Sequence, residues 1–255
     1  MQPNRSVSVP SGPPYTNGKP PSRTDLLARA LAGEILAGRH PVGAMLPSES
    51  ELVDDHGASL ATVRGALRVL GTLGLTQRAR GGIAQVVSAE VRAIYEIATG
   101  DGTEGGGYLA PTRVGLDRQR RAVADAELAV LLDARENSDW LHVTGLRLPV
   151  DPSFGPLAWF DAWLGGGVKQ VPAGFDFSPE ALEELCGTQV ADVREELSAA
   201  PLTPAQARRL HARGGGFALQ IMRRYLRGNG SLVAAVLDVH PAGRVVVHAR
   251  TRREG

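Results

Sequence analysis

The stretch "ASLATVRGALRVLGTLGL", residues Ala58–Leu75, has apolar residues on one side of a predicted helix and hydrogen-bond donors on the other. The apolar positions recur at i, i+3, i+4 and i+7, which marks one buried helical stripe: Val63, Ala66, Leu67 and Leu70. The opposite side carries Thr62, Arg64 and Arg68. No Asp or Glu occurs from His56 to Ala89, although the chain holds 27 acidic residues. This face is therefore suited to a polyanion.

The residues before this helix predict two further helices. Leu27, Leu31 and Ile35 form one apolar face of the first, which ends near "GRHPVG". The segment "PSESEL" is a capping box in which Ser48 caps the second helix and Glu51 returns a bond to it. Such a short helix, closely followed by another, is typical of a helix-turn-helix.

The ends of the second and third helices are also marked. Gly57 is suited to end the second helix, Ser59 to cap the third, and Gly74 to end it. The following "LTQRARGGIAQVV" predicts a two-stranded hairpin that turns at Gly81 and Gly82. A hairpin in this place adds a wing to the helix-turn-helix.

The third helix is the predicted DNA reader. In a helix-turn-helix, the second helix of the pair enters the major groove with its N-terminal residues at the base edges. Hydroxyl and guanidinium groups donate to phosphates and bases, whereas carboxylates are repelled. The predicted DNA-binding residues on the helices and the wing are Ser48, Ser59, Thr62, Arg64, Arg68, Arg78, Arg80 and Gly81. A solvated basic surface without function is the alternative interpretation.

The composition indicates where the domains of the chain begin and end, and it narrows the class of protein. A proline-rich tail is predicted for residues 1–22, a first domain for 23–88, a linker for 89–107 and a second domain for 108–255. The net charge of +1 identifies no partner. The single Cys186 excludes an internal disulfide and fits a reducing cytoplasm, where we expect the protein to act. No apolar run is long enough for a transmembrane helix, and no metal site or cofactor is expected.

The first domain resembles the winged helix-turn-helix of GntR-type transcription regulators. Three motifs carry the resemblance: the turn Gly38–Gly43, "LPSESEL" at Leu46–Leu52, and the pattern TVRxALRxLxxxGL at Thr62–Leu75. It implies DNA contacts by Ser59, Thr62 and Arg64, with Arg80 and Gly81 at the wing tip. Departures from the usual pattern put the usual operator sequence in doubt: Ser50, Leu60, Ala61 and Gly65.

The second domain is predicted to be α+β with an antiparallel sheet. Four segments are strand-like: Trp140–Val150, Pro156–Leu164, Phe217–Leu226 and Ser231–Arg250. Three are predicted helices: "DRQRRAVADAELAVLLDA" at Asp117–Ala134, and two short segments that follow the candidate caps Ser178 and Thr203. Runs of adjacent strands joined by helices indicate this fold class.

This order of elements is similar to the effector-binding domain of the HutC-like branch of the same family, the chorismate-lyase-like fold called UTRA. The resemblance implies a small-molecule effector site. By position, Arg147 matches an anion-binding arginine, His240 a residue that faces the ligand, and Trp163 a pocket-lining side chain. A salt-bridged arginine, a structural histidine and a core tryptophan are the alternative interpretations. Phe160 and Ala234 stand where acidic residues hold sugar hydroxyls, so we expect an anionic or aromatic effector, not an amino-sugar phosphate.

The sequence therefore predicts a homodimeric repressor that binds a two-fold operator in double-stranded DNA and is released by an effector. We expect no catalytic residues and no membrane partner. One alternative is a constitutive DNA-binding repressor whose second domain only dimerises. The other is a chorismate-lyase-like enzyme, although a shared fold does not imply a shared activity. The sequence names neither the operator nor the effector.

Overall fold

The computed structural model of the chain describes residues 22–79, 82–97, 107–108, 112–149 and 154–249. The predicted tail, except Ser22, lies outside the described residues, as do Arg80, Gly81 and positions 98–106 of the predicted linker. Within the described residues, no helix is long and apolar enough to cross a membrane.

The first domain has three helices and a hairpin. The elements are α1 (Arg23–Leu36), α2 (Glu49–His56), α3 (Leu60–Thr72), β1 (Thr76–Arg78) and β2 (Ala84–Val86). The predicted capping box is present: the Ser48 hydroxyl accepts from the Glu51 amide, and the Glu51 carboxylate accepts from the Ser48 amide. Gly57 ends α2 in the left-handed region at φ +57°, and Ser59 caps α3. These sequence predictions are confirmed.

The core of the first domain lies between α1 and α3. Val63, Ala66 and Leu70 are completely buried, as are Leu31 and Ile35 of α1. β1 and β2 pair antiparallel, with Thr76 opposite Val86 and Arg78 opposite Ala84, and form the wing. Burial of one apolar stripe leaves the other side of α3 exposed.

The described residues of the second part of the chain form two sheets and three helices. Its elements are β3 (Ala93–Ile97), β4 (Gly107–Tyr108), β5 (Thr112–Val123), α4 (Ala126–Leu132), β6 (Asp139–Pro149), β7 (Ala158–Leu164), α5 (Pro179–Cys186), β8 (Asp192–Pro201), α6 (Pro204–Arg209), β9 (Phe217–Leu226), β10 (Leu232–Pro241) and β11 (Val245–Ala249). The large sheet is antiparallel with the order β5-β6-β7-β10-β9-β8. The small sheet has the order β11-β3-β4.

Each strand of the large sheet sends alternate side chains to opposite faces. We call the face that carries Val143, Phe160 and Asp238 the inner face; α5 packs on it through Leu182. We call the face that carries His142, Trp163 and Ala235 the outer face; α4 packs there through Ala129 and Leu132. Both faces are needed to bury the apolar residues of the central strands.

The prediction of one helix over Asp117–Ala134 is wrong in its first half. Residues up to Val123 belong to β5, which pairs with β6 from Thr112 opposite Pro149 to Val123 opposite Asp139. Charged residues are tolerated there because β5 is an edge strand with solvent beside it. β3 and β8 were not predicted, and β3 lies within the predicted linker.

Substitution by alanine should affect the free energy of unfolding differently at Gly33 and at Gly65. A Cβ on Gly33 would meet nothing within 4 Å, whereas one on Gly65 would lie 2.8 Å from Cγ2 of Thr24. Gly33→Ala should raise the free energy of unfolding by about 1 kcal/mol through helix propensity. Gly65→Ala should gain less or lose stability, and Thr24→Ala should restore the gain. Urea unfolding followed by circular dichroism measures this, and equal gains at both glycines would contradict it.

Candidate DNA interface and effector site

The predicted DNA-reading residues lie together at the N-termini of α2 and α3. Ser59 caps α3, and its hydroxyl oxygen lies 2.9 Å from the hydroxyl oxygen of Thr62. The Ser48 hydroxyl donates to Glu51 at 2.7 Å. Arg64 and Arg68 follow on the exposed side of α3. This arrangement presents short donors first and long cationic side chains one turn later.

The sequence of α3 suggested a donor face without carboxylates. In the structure, a carboxylate from another helix lies beside this face. Arg64 Nε donates to Oε2 of Glu49 at 2.7 Å. Glu49 belongs to α2 and therefore lies outside the acid-free segment His56–Ala89. The Arg64 side chain is still 56% exposed. Glu49 thus holds the guanidinium against α2 while leaving most of it accessible.

The wing contributes one described cation. Arg78 is exposed at the end of β1, opposite Ala84. Its expected neighbours Arg80 and Gly81 lie outside the described residues. The antiparallel pairing of β1 with β2 agrees with the predicted hairpin, and Arg78 is the last residue of its first strand.

A buried cluster of charges occupies the inner face of the large sheet. Asp238 of β10 accepts hydrogen bonds from Arg147 Nε at 2.9 Å and from Arg223 Nη2 at 2.6 Å. Arg147 also donates through Nη2 to Asp238 and through Nη1 to the Thr112 hydroxyl at 3.0 Å. Asp238 is completely buried, and the two arginine side chains are nearly so. One carboxylate therefore joins β6, β9 and β10.

Electrostatics keep this carboxylate charged. Burial alone raises the pKa of Asp238, but the neighbouring Arg147 and Arg223 outweigh burial and bring the pKa to about 2. Asp238 is thus ionised at neutral pH and serves Arg147 as an internal anion. An external anion at Arg147 would have to compete with it.

Tyr108 covers the cluster from β4. Its ring centroid lies 4.5 Å from the guanidinium carbon of Arg147, a cation–π distance. Its hydroxyl lies 2.8 Å from Nε2 of His240. Nδ1 of His240 faces the Leu157 carbonyl oxygen at 3.2 Å and so carries the proton, which leaves Nε2 to accept from Tyr108. Burial, only partly opposed by Asp238, lowers the pKa of His240 to about 4.

The predicted effector residues are not all together. Arg147 and His240 both lie on the inner face, where Tyr108 contacts each of them. Trp163 lies on the outer face and stacks on His142 with ring centroids 5.0 Å apart. The sheet therefore separates Trp163 from Arg147 and His240, so the three predicted effector residues do not line one common site. Phe160 and Ala234 are completely buried on the inner face.

Sequence reasoning missed three members of the cluster: Tyr108, Arg223 and Asp238. Arg223 gave a usable signal, because an arginine at an inward position between Ile221 and Tyr225 of a strand needs a buried partner. Asp238 gave a weaker one by standing two residues before His240. No local pattern marked Tyr108, since its role depends on pairing between β3 and β4.

The low pKa of His240 predicts an acid-sensitive large sheet. Below its ordinary pKa of 6.5, His240 takes up a proton in the unfolded chain but stays neutral in the folded one until about pH 4. The free energy of unfolding that depends on neutral His240 is therefore present above pH 6.5 and is lost as the pH falls toward 4. Between pH 7 and pH 5 this loss should be about 1–2 kcal/mol.

His240→Gln should remove that loss, whereas exposed His56→Gln should keep it. Urea unfolding followed by tryptophan fluorescence reports on the large sheet, because Trp140, Trp159 and Trp163 all lie there. An unchanged pH dependence in His240→Gln would contradict the assignment.

Comparison with known proteins agrees with this architecture. Residues 24–86 match the family described as bacterial regulatory proteins, gntR family. The HTH-type transcriptional regulator Rv0792c of Mycobacterium tuberculosis is 27% identical over 239 residues, which cover 88% of this chain and 84% of that protein. The match thus extends through both parts of the chain.

Two solved structures share the fold. PhnF from Mycobacterium smegmatis superposes with a TM-score of 0.53 at 17% identity, over 89% of this chain and all of that one (100%). YydK from Bacillus subtilis, a possible transcriptional regulator, gives 0.50 at 16% identity, over 91% of this chain and 100% of that one. Residues 24–86 therefore form a GntR-family helix-turn-helix domain, and over most of its length the chain is similar to a transcriptional regulator.

Proposed function

We propose that this protein is a transcription repressor of the HutC-like branch and that it binds a two-fold operator as a homodimer. An effector that enters the UTRA-like second domain, residues 108–255, releases the protein from the operator. Residues 23–88 act as the DNA-binding domain and 89–107 as the connection. A two-fold operator doubles the contact that one recognition helix makes. The protein acts in the cytoplasm, where its operator lies.

DNA recognition rests on the exposed donors of α2, α3 and the wing. Arg64 reads a base edge or holds a phosphate, and Ser59 and Thr62 donate at the start of α3 beside its free backbone amides. Ser48, Arg68 and Arg78 contact the phosphate backbone on either side, with Arg80 and Gly81 at the wing tip. Glu49 supports this role by directing Arg64 before DNA is bound.

The observation that carries the effector proposal is the position of Tyr108. It contacts both Arg147 and His240, and its strand β4 pairs with β3, where Tyr95 lies opposite Tyr108. β3 follows the wing, and its Ala93 shares the core of the first domain. An effector that displaces Tyr108 therefore disturbs a strand attached to the DNA-binding domain.

The same contacts define the effector chemistry. A planar group could replace the Tyr108 ring above Arg147, and a hydroxyl or carboxylate could replace its oxygen beside His240. This favours a small aromatic compound, and a small anion only where it can displace the bond between Arg147 and Asp238. Because Trp163 lies on the outer face, it is not part of this site.

A constitutive repressor is the second candidate, and the saturation of Arg147 favours it. Asp238, Thr112 and Tyr108 together occupy the guanidinium without any ligand. In that case the second domain only dimerises. Relatives of this chain are transcription regulators, which favours either candidate over an enzyme.

Arg64 and Arg39 provide a matched test of DNA recognition. Both are exposed and ion-paired with a glutamate, but Arg39 follows α1, away from the start of α3. Sites selected from random duplex DNA should be two-fold symmetric. Arg64→Ala should weaken binding to them at least about tenfold, since a base contact contributes roughly 1–3 kcal/mol. Arg39→Ala should change the Kd by less than about twofold; equal losses would contradict the assignment.

Ligand response separates the two candidates. Benzoate, 4-hydroxybenzoate and inorganic phosphate are tested for a rise in Tm and for weaker binding to the selected operator. A ligand at about 100 times its Kd should stabilise by about 2.7 kcal/mol, and operator DNA should weaken its binding by the same factor as it weakens DNA binding. If a wider set of aromatic acids and phosphates also changes neither quantity, the repressor is constitutive.

A further inference from the structure

Strand β8 is one of the two edges of the large sheet, and no other described strand pairs with its outer side. We propose that this edge is the dimer interface. It pairs antiparallel with β8 of a second copy about a two-fold axis at Glu195. The inference rests on the proposed homodimer and specifies the surface that forms it. Two six-stranded sheets would then become one continuous sheet.

β8 is a long edge with a regular backbone. It pairs with β9 over its whole length, from Asp192 opposite Leu226 to Pro201 opposite Phe217, without a register shift. Its other side offers the alternate N–H and C=O groups that antiparallel pairing uses. Natural proteins protect such edges with bulges, internal prolines, charged side chains or covering elements. In β8 the one proline, Pro201, is the last residue.

Both faces of β8 are also exposed. Only Glu195 and Ala200 of this strand are half-buried; the other residues are exposed. Val193 and Leu197 are 38% and 37% exposed, although both lie on the inner-face side, where a core would form. A strand with exposed apolar side chains and unpaired backbone groups along its edge is suited to pairing with another strand.

The opposite edge of the sheet shows the contrast. β5 is interrupted by a bulge between Leu116 and Arg118. It carries four arginines and one aspartate, so two copies of β5 would repel each other: Arg113, Arg118, Arg120, Arg121 and Asp117. β8 also carries charged residues, namely Asp192, Arg194, Glu195 and Glu196, but it has no bulge, and one register places its charges of opposite sign face to face. β8 is therefore the edge expected to pair.

The sequence of β8 is complementary to itself in one register. In a two-fold antiparallel pair, directly opposite residues lie on the same face and their numbers have a constant sum. With the axis at Glu195, Val193 faces the partner strand's Leu197 position, and Arg194 faces its Glu196 position. Each contact occurs twice. An axis at Glu196 would instead place the two Glu196 carboxylates opposite each other.

At the two-fold axis, the Glu195 residues of the two copies lie opposite each other. Each Glu195 carboxylate is turned away from the axis. The Tyr95 hydroxyl donates to Oε1 of Glu195. Arg223 lies opposite Glu195 on β9 and supplies a compensating positive charge. The two central carboxylates are thus held toward the small sheets of their own subunits.

Cysteine pairs test both the surface and the register. In a Cys186→Ser background, which removes the one native thiol, the double variant Val193→Cys/Leu197→Cys should form a disulfide-linked dimer on oxidation. Opposite residues have Cβ atoms about 4.5–5.5 Å apart. Each single variant should stay unlinked, because its two thiols lie about 13 Å apart along the strands. A linked single variant, or an unlinked double variant, would overturn the register.

Matched aspartates test the interface without cysteine. Val193→Asp on β8 should raise the dimer dissociation constant at least tenfold by analytical ultracentrifugation, with an unchanged circular dichroism spectrum. Val123→Asp on β5, where the valine is 59% exposed, should leave it unchanged. If the wild type is a dimer that Val193→Asp does not weaken, another surface forms it. Operator binding and ligand response, measured separately, then still decide the proposed function.

Discussion

The large sheet is organised around a single buried carboxylate. Asp238 binds Arg147 on one side and Arg223 on the other, and these residues belong to three different strands. Removing one partner from such a buried group typically costs about 3–5 kcal/mol, because the remaining charge has no compensation. The register between β6, β7, β10 and β9 must therefore bring these three side chains to the same depth. A slip by one residue would place Asp238 on the outer face.

Charge balance extends this cluster beyond Asp238. Two arginines and one aspartate leave one positive charge in excess, and Glu195 on β8 offsets it from the position opposite Arg223. Arg223 Nε and Glu195 Oε2 are both buried without a hydrogen-bond partner among the described residues. The balance is thus complete in charge but incomplete in hydrogen bonds, and a bridging water between these groups would satisfy both atoms.

Local chemistry was readable from the sequence, whereas long-range pairing was not. The caps Ser48, Ser59, Ser178 and Thr203 were all predicted correctly, because capping depends on residues within one turn. The segment before Val123 was misread because its charges fit an exposed helix as well as an edge strand. Alternation alone could have corrected Trp163, since it lies three residues from Phe160 on the same strand and must point to the opposite face.

The Arg64–Glu49 pair marks a different limit of sequence reasoning. α3 contains no acidic residue, but the side chain that binds Arg64 comes from α2, 15 residues earlier. The angle between the two helices brings it there, and no spacing rule within α3 reveals it. The same holds for Tyr108, which reaches Arg147 and His240 only because β4 pairs with β3. The roles proposed for Arg64 and Tyr108 therefore depend on contacts between elements, which no local sequence pattern reveals.

Glu195 connects the three properties proposed for the chain: dimer formation, effector response and DNA binding. It lies at the axis of the proposed β8 dimer, faces Arg223 of the charge cluster, and accepts a hydrogen bond from Tyr95. Tyr95 belongs to β3, which carries Ala93 into the core of the first domain and packs edge-to-face against Tyr108 with ring centroids 5.1 Å apart. A ligand that moves Tyr108 would therefore act on Tyr95 and, through Glu195, on the dimer axis. In the proposed dimer, the spacing of the two DNA-binding domains would depend on that same axis, so displacement of Tyr108 would change how they fit an operator.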